Sequence, residues 1–175
     1  MSEPAEHHHH DRSDLRIGVV TVSTSRSAAA RNGKEFKDES GEGACAIAVA
    51  RGYRVTFRKL VGDDMNEIRR AFTEGLATGL VDALVFVGGT GAASSDVTPE
   101  AVEPMLKKTL PGFGELFRER SSQRIGVSAA LSRALAGTVD EFAVFCLPGS
   151  TDGSSLGMEM AMELLPHLKA LLGPA

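Results

Sequence analysis

Residues 84–91 constrain the fold more tightly than any other stretch of this chain. Leu84 to Val87 is a short apolar run rich in β-branched residues, the pattern of a strand covered on both faces in a parallel sheet. Gly88, Gly89 and Gly91 then crowd around Thr90. Glycine permits positive φ and lets backbone N–H groups come close to a ligand. Thr98 is expected to cap a helix, with Pro99 at its first position and Glu100 favoured by the positive end of the dipole. A strand, a glycine loop, a lone carboxylate (Asp96) and a helix start form the arrangement with which α/β proteins bind phosphorylated ligands at the carboxyl edge of a sheet.

The remaining pattern alternates strands with helices. Leu15 to Val22 reads as the first strand, and Ser23 to Lys37 as a polar loop. Ser40 is expected to cap a helix from Glu42 to about Ala50, ended by Gly52. Arg54 to Val61 alternates like a half-exposed strand. Asp63 or Asp64 opens a helix to about Ala77, with Ile68, Phe72 and Leu76 on one face. Val81 to Val87 is the central strand, expected to lie beside the first. Helices are expected from Pro99 to about Lys108 and from Pro111 onward, with a short helix or turn over Ser128 to Ser132. Arg133 to Val139 and Glu141 to Leu147 read as an antiparallel pair turning at Asp140. The last helix runs from near Ser154 to Leu172, with Pro166 expected to kink or divide it. The pattern indicates an α/β doubly wound sheet.

Composition excludes several function classes. At 175 residues one domain is the default, and the polar stretch over 1–14 is expected to be a disordered tail ahead of it. The net charge of −4 offers no general attraction to nucleic acid or to an anionic membrane. No run reaches membrane-spanning length and no signal peptide is evident, so the cytoplasm is the expected compartment. Cys45 and Cys146 fit no metal-ligand spacing and read as buried thiols. The His7 to His10 run is a tag fragment, a native metal-binding tract or neither, and His167 reads as a helix-surface or packing residue.

Four segments fall at expected strand ends: Thr21 to Arg26, Gly62 to Asp64, Gly88 to Asp96, and Pro148 to Thr151. They offer backbone donors, hydroxyls (Thr90, Ser94, Ser150, Thr151), the cation Arg26, and the carboxylates Asp63, Asp64 and Asp96. Donors together with carboxylates suit a Mg²⁺–phosphate ligand. Plainer readings stand beside this one. A glycine-rich turn is often only a turn, an Asp at 63 or 64 is more often a helix cap than a metal ligand, and Arg26 in a polar loop is usually just solvated. Asp96 has no evident capping duty. Walker A and G-x-G-x-x-G patterns are absent. Residue chemistry alone reaches a phosphate-ligand α/β protein, without a reaction.

The motifs IGVVTVS (Ile17 to Ser23) with Arg26, DESG (Asp38 to Gly41), GGTG (Gly88 to Gly91), DVTPE (Asp96 to Glu100), PGFGELFR (Pro111 to Arg118), LSRALAG (Leu131 to Gly137) and LPGS (Leu147 to Ser150) occur in this order. Together the sequence resembles the MoaB/MogA family of molybdenum cofactor biosynthesis, from Leu15 to the C-terminus. The resemblance implies a three-layer α/β/α sandwich, the molybdopterin-binding fold, over residues 15–175, with a mostly parallel sheet that carries the antiparallel pair. It implies a homotrimer, in some members a hexamer. The implied activity is transfer of AMP from ATP, with Mg²⁺, to the terminal phosphate of molybdopterin. Pyrophosphate is released, and the product passes to the metal-insertion protein of the pathway. The family's two aspartates fall on Asp63 and Asp96, as catalytic residues and metal ligands. Ser23, Arg26, Gly88, Gly89, Thr90, Gly91, Ser132, Pro148, Gly149 and Ser150 fall at ligand-binding positions. The first loop, Thr24-Ser25-Arg26, is one residue longer than in the MogA branch. Some MoaB proteins are thought to be inactive, which leaves a non-catalytic molybdopterin carrier as the alternative. A relative of the CinA nucleotide pyrophosphatases is a third reading, weakened by the short chain and the PGFGELFR segment.

Overall fold

The computed structural model describes residues 14–173. The His7 to His10 run, and the expected tail except for Asp14, lie outside them. The apolar runs form strands: Arg16–Val22 (β1), Arg54–Val61 (β2), Ala83–Val87 (β3), Lys108–Thr109 (β4), Leu135–Val139 (β5) and Phe142–Leu147 (β6). They join in one sheet in the order β2-β1-β3-β6-β5-β4. The first four strands in that order are mutually parallel, with Val19 opposite Val85 and Val85 opposite Phe145. β5 is antiparallel to β6, and β4 to β5. The expected neighbours β1 and β3 are therefore paired within the sheet.

Side-chain alternation along these strands feeds two cores. Ile17, Val19, Val85, Val87, Phe145 and Leu147 face one way, onto the helices Glu39–Ala50 (α2), Pro111–Ile125 (α5) and Thr151–Leu172 (α6). Val20, Val22, Leu84, Phe86, Val144 and Cys146 face the other way, onto Met65–Ala77 (α3) and the short Thr98–Val102 (α4). The result is the expected three-layer α/β/α sandwich. Ring pairs fasten both layers: Phe113 against Phe145 at 5.4 Å and Phe72 against Phe86 at 6.2 Å between centroids.

At the amino edge of the sheet, Asp82 ties β1 and β3 to α6. Its Oδ2 accepts from Arg16 N (2.8 Å) and Arg16 Nε (3.0 Å). The ammonium of buried Lys169 stands 3.6 Å from Oδ1 and donates to Glu141 O (2.9 Å). Burial opposes the Asp82 charge, but the Arg16 hydrogen bonds prevail and hold its carboxyl below the usual carboxylate range.

Several local expectations are corrected. The segment after β1 is not all loop, because Thr24–Arg31 forms a helix (α1) capped by Ser23. The next helix starts at Glu39 under an Asp38 cap, and Ser40 is buried within it. Thr98 does not cap: Val97 holds that position, and the Thr98 hydroxyl donates to Gly88 O (2.8 Å). The helix at Pro99 ends by Val102, followed by the 3₁₀ turn Glu103–Met105 and by β4. α6 begins at Thr151 under Ser150 and runs unbroken through Pro166. Pro166 has no N–H for Met162 O, and that carbonyl accepts from Tyr53 Oη (2.6 Å). Cys146 is buried, whereas Cys45 is only half-buried, and both are free thiols.

Candidate active site at the carboxyl edge of the sheet

The carboxyl ends of β2, β1, β3 and β6 share one edge, so the loops that follow them are neighbours. Gly88 continues β3, its N–H donating to Leu147 O (2.9 Å). Its φ of 116° and the closeness of Val22 O leave no room for a side chain. Gly89 follows at φ 64°. The loop's carbonyls are all tied back. Gly88 O accepts from Thr98 Oγ1, and Gly89 O accepts from Thr98 N (3.0 Å). Thr90 O accepts from Arg133 N (2.9 Å), and Gly91 O from Arg133 Nε (2.9 Å). No residue among those described accepts from the amides of Gly89, Thr90 and Gly91. The peptide dipoles of this loop thus leave donors available to an anion.

Asp63 and Asp96 flank these amides. Asp64, not Asp63, caps α3, accepting from Asn66 N (2.9 Å) and Glu67 N (3.0 Å). Asp63 instead reaches α1, where its Oδ2 accepts from Thr24 N (2.6 Å) and Thr24 Oγ1 (2.8 Å). Its Oδ1 lies 3.1 Å from where a Cβ on Gly89 would stand. Asp96 Oδ2 accepts from Ala93 N (3.0 Å) and lies 2.7 Å from where a Cβ on Gly91 would stand. Each carboxylate therefore has one oxygen engaged by the protein and one without a hydrogen bond.

The glycine loop, Asp96, Ser132, Pro148 and Gly149 line one cleft of about 330 Å³. Ser132 and Pro148 also line an adjoining cleft of about 390 Å³, together with Ser150, Arg124 and the buried Ser121. Gly88 lies beneath as buried support. Ser23 and Arg26 line neither cleft. Ser23 caps α1, and Arg26 donates to Ser40 Oγ (3.0 Å) beside Asp38 (3.5 Å), which also accepts from Thr21 Oγ1 (2.7 Å). Arg26 is thus anchored rather than simply solvated. Arg133, Arg124 and Ser121 were not singled out from the sequence. Arg133 lies within LSRALAG, but nothing in that motif says where its guanidinium reaches. It pairs with Glu100, and that hydrogen bond holds the Glu100 carboxyl below its usual range.

The donor set suits Mg²⁺ only as a shared ligand. No group of three or more His, Cys, Asp or Glu among the described residues forms a cage. Two carboxylate oxygens without a hydrogen bond, beside a loop with open amides, fit the way Mg²⁺ is held, by one or two carboxylates, waters and substrate phosphates. No helix among the described residues is long and apolar enough to cross a membrane.

Comparison with known proteins shows what the chain is similar to. The family model described as "Probable molybdopterin binding domain" matches residues 18–169. "Molybdenum cofactor biosynthesis protein B" of Bacillus cereus is 38% identical over 164 residues, 93% of this chain and 92% of that protein. "Probable molybdopterin adenylyltransferase" of Methanocaldococcus jannaschii is 34% identical over 155 residues, 89% and 92% of the two chains. A crystal structure of a molybdenum cofactor biosynthesis protein B superposes with a TM-score of 0.84 at 36% identity, over 93% of this chain and 98% of that one.

Proposed function

This chain belongs to the MoaB/MogA family of molybdopterin-binding domains, and on that premise we propose that it is a molybdopterin adenylyltransferase of molybdenum cofactor biosynthesis. It transfers AMP from ATP to the terminal phosphate of molybdopterin and releases pyrophosphate. The observation that carries this reading is the polarised glycine loop, with carbonyls of 88–91 tied back, amides of 89–91 without acceptors, and a carboxylate on either side.

The residues have a positioning task. The attacking group is already a phosphate anion, so no strong general base is required. The amides of Gly89, Thr90 and Gly91 hold phosphate oxygens, while Ser132, Pro148, Gly149 and Ser150 form the wall against which the pterin and its phosphate lie. Asp63 and Asp96 would hold Mg²⁺ through their free oxygens. Bound there, it would offset the charge of two polyanions brought together. Ser23 and Arg26, anchored at the end of β1, flank the nucleotide entrance. The phosphoryl-transfer logic of positioning plus electrostatics applies here to nucleotidyl transfer by analogy.

The same reading takes residues 15–175 as the molybdopterin-binding domain, the cytoplasm as the site of action, and hand-off to the metal-insertion protein. It includes self-association as a trimer or hexamer, for which exposed Ile125, Val127 and Leu131 beside the clefts offer apolar surface. Light scattering at micromolar concentration should give three or six copies, and a monomer would refute that part. The activity is tested by following pyrophosphate while ATP, Mg²⁺ and molybdopterin are supplied singly and together. Release only with all three is the expected result. Tight molybdopterin binding without release would make the protein a carrier.

A further inference from the structure

Between Gly89 and Asp96 the chain has neither strand nor helix, and residues 92–95 are exposed. Something must nevertheless fix Asp96 relative to the free amides. Within the loop only Asp96 N to Ala93 O (2.9 Å) and Ala93 N to Asp96 Oδ2 are available. From outside, one residue supplies the rest. Arg133 N donates to Thr90 O, Arg133 Nε to Gly91 O, and Nη2 to Asp96 O (2.7 Å), while Nη1 pairs with the Glu100 carboxylate. Among the described residues no other side chain from outside 88–98 bonds the backbone of 90–96.

The peptide plane explains what these bonds do. In a trans peptide the C=O of one residue and the N–H of the next point opposite ways. Thr98, by holding the carbonyls of Gly88 and Gly89, therefore aims the amides of Gly89 and Thr90. The Arg133 main-chain N–H, by holding Thr90 O, aims the Gly91 amide, and the Arg133 guanidinium, by holding Gly91 O, aims the Ala92 amide. The same guanidinium fixes the Asp96 peptide. A planar fork with separately directed donors can serve two carbonyls and a carboxylate at once, which a lysine ammonium on a flexible stem does not reproduce.

We propose that the Arg133 guanidinium is a positioning group for adenylyl transfer, setting the Ala92 amide and the Asp96 carboxylate relative to one another without itself touching the reacting groups. The inference rests on the adenylyltransferase reading for its kinetic consequence, but its structural part can be measured separately.

The test compares the parent with Arg133→Lys, alone and combined with Asp96→Asn, on the full chain. Arg133→Lys should lower kcat roughly ten- to a hundredfold, as loss of a partner that orients a ligand-bearing group does. The KM for ATP should stay within about threefold of the parent value, because the missing interaction acts on the transition state. Added to Asp96→Asn, it should cost less than about threefold more, since groups acting through one another are not additive. Hydrogen exchange at the Ala93 and Asp96 amides should accelerate, with the Thr98 amide unchanged as the internal control. Parent kcat in the variant, unaltered exchange at Ala93 and Asp96, or full additivity with Asp96→Asn would each overturn the proposal. A parent protein that transfers no AMP refutes the functional reading instead, and exchange alone then decides whether Arg133 sets the loop. If Arg133→Lys does not fold, Glu100→Gln, at an exposed position, should accelerate the same two amides, and unaltered exchange there would overturn the proposal.

Discussion

In the proposed reaction Asp96 has two duties that its surroundings separate. One oxygen takes the Ala93 amide and closes the loop, while the other carries no hydrogen bond. Asparagine keeps the first duty and removes the charge from the second. Asp96→Asn should therefore leave the melting temperature and molybdopterin binding near the parent values. It should lower kcat for adenylyl transfer roughly a hundredfold, comparable to losing one electrostatic stabiliser. Kinetics with matched binding titrations check this, and a parent-like kcat would move the chemistry to Asp63. At this scale the sequence was partly legible. The glycine loop announced itself because few residue types accept positive φ, and Gly88 at 116° confirms the need. Asp63 and Asp64 could not be told apart, since either residue type caps a helix. Only the fold shows that each serves a different one, Asp64 its own α3 and Asp63 the distant α1. Arg133 was illegible because the partners of its guanidinium lie 33 to 42 positions away in sequence.

Among the elements, those with long apolar periodicity were legible and those made by tertiary partners were not. α1 (TSRSAAAR) buries only Ser27, so no apolar stripe marks it. Its start depends on Ser23 and on Asp63 arriving from the end of β2. α4 is short because Pro104 has no N–H to continue it, and the two-residue β4 exists only through its pairing with β5. α6 shows the reverse case, in which a proline that ought to interrupt a helix is accommodated. Tyr53 Oη, on a buried side chain, takes over the Met162 carbonyl that Pro166 leaves without its helical donor. Tyr53→Phe should then destabilise the protein by about 1–3 kcal/mol, the cost of an unsatisfied buried carbonyl. Urea unfolding with an unchanged m-value would measure it. A loss well under half a kcal/mol would mean that α6 satisfies the carbonyl by other means.

For the whole molecule, the alternation of strands and helices indicated the layers, and the largely apolar β1 and wholly apolar β3 indicated the sheet's interior. The full strand order was not legible, because β6 enters beside β3 from 60 positions away in register. The far edge of the sheet is held by Asp82, which joins β1, β3 and α6 through Arg16 and Lys169. Its folded pKa is lowered, so its contribution is complete above the ordinary carboxylate range and is lost as pH falls through the lowered folded value. Asp82→Asn should cost about 3 kcal/mol or more at neutral pH by stranding buried Lys169, and should flatten the acid limb of the stability profile. Melting curves across the acid range check both, and an unchanged acid limb would show that other carboxylates govern it. The proposed function is placed at the carboxyl edge, and its most direct test follows the phosphorus atoms of ATP. With Mg²⁺ and molybdopterin present, label on the α-phosphate of ATP should move onto the pterin, while label on the γ-phosphate should leave entirely in pyrophosphate. Label from the γ-phosphate on the pterin, or no transfer of either label, would contradict the account.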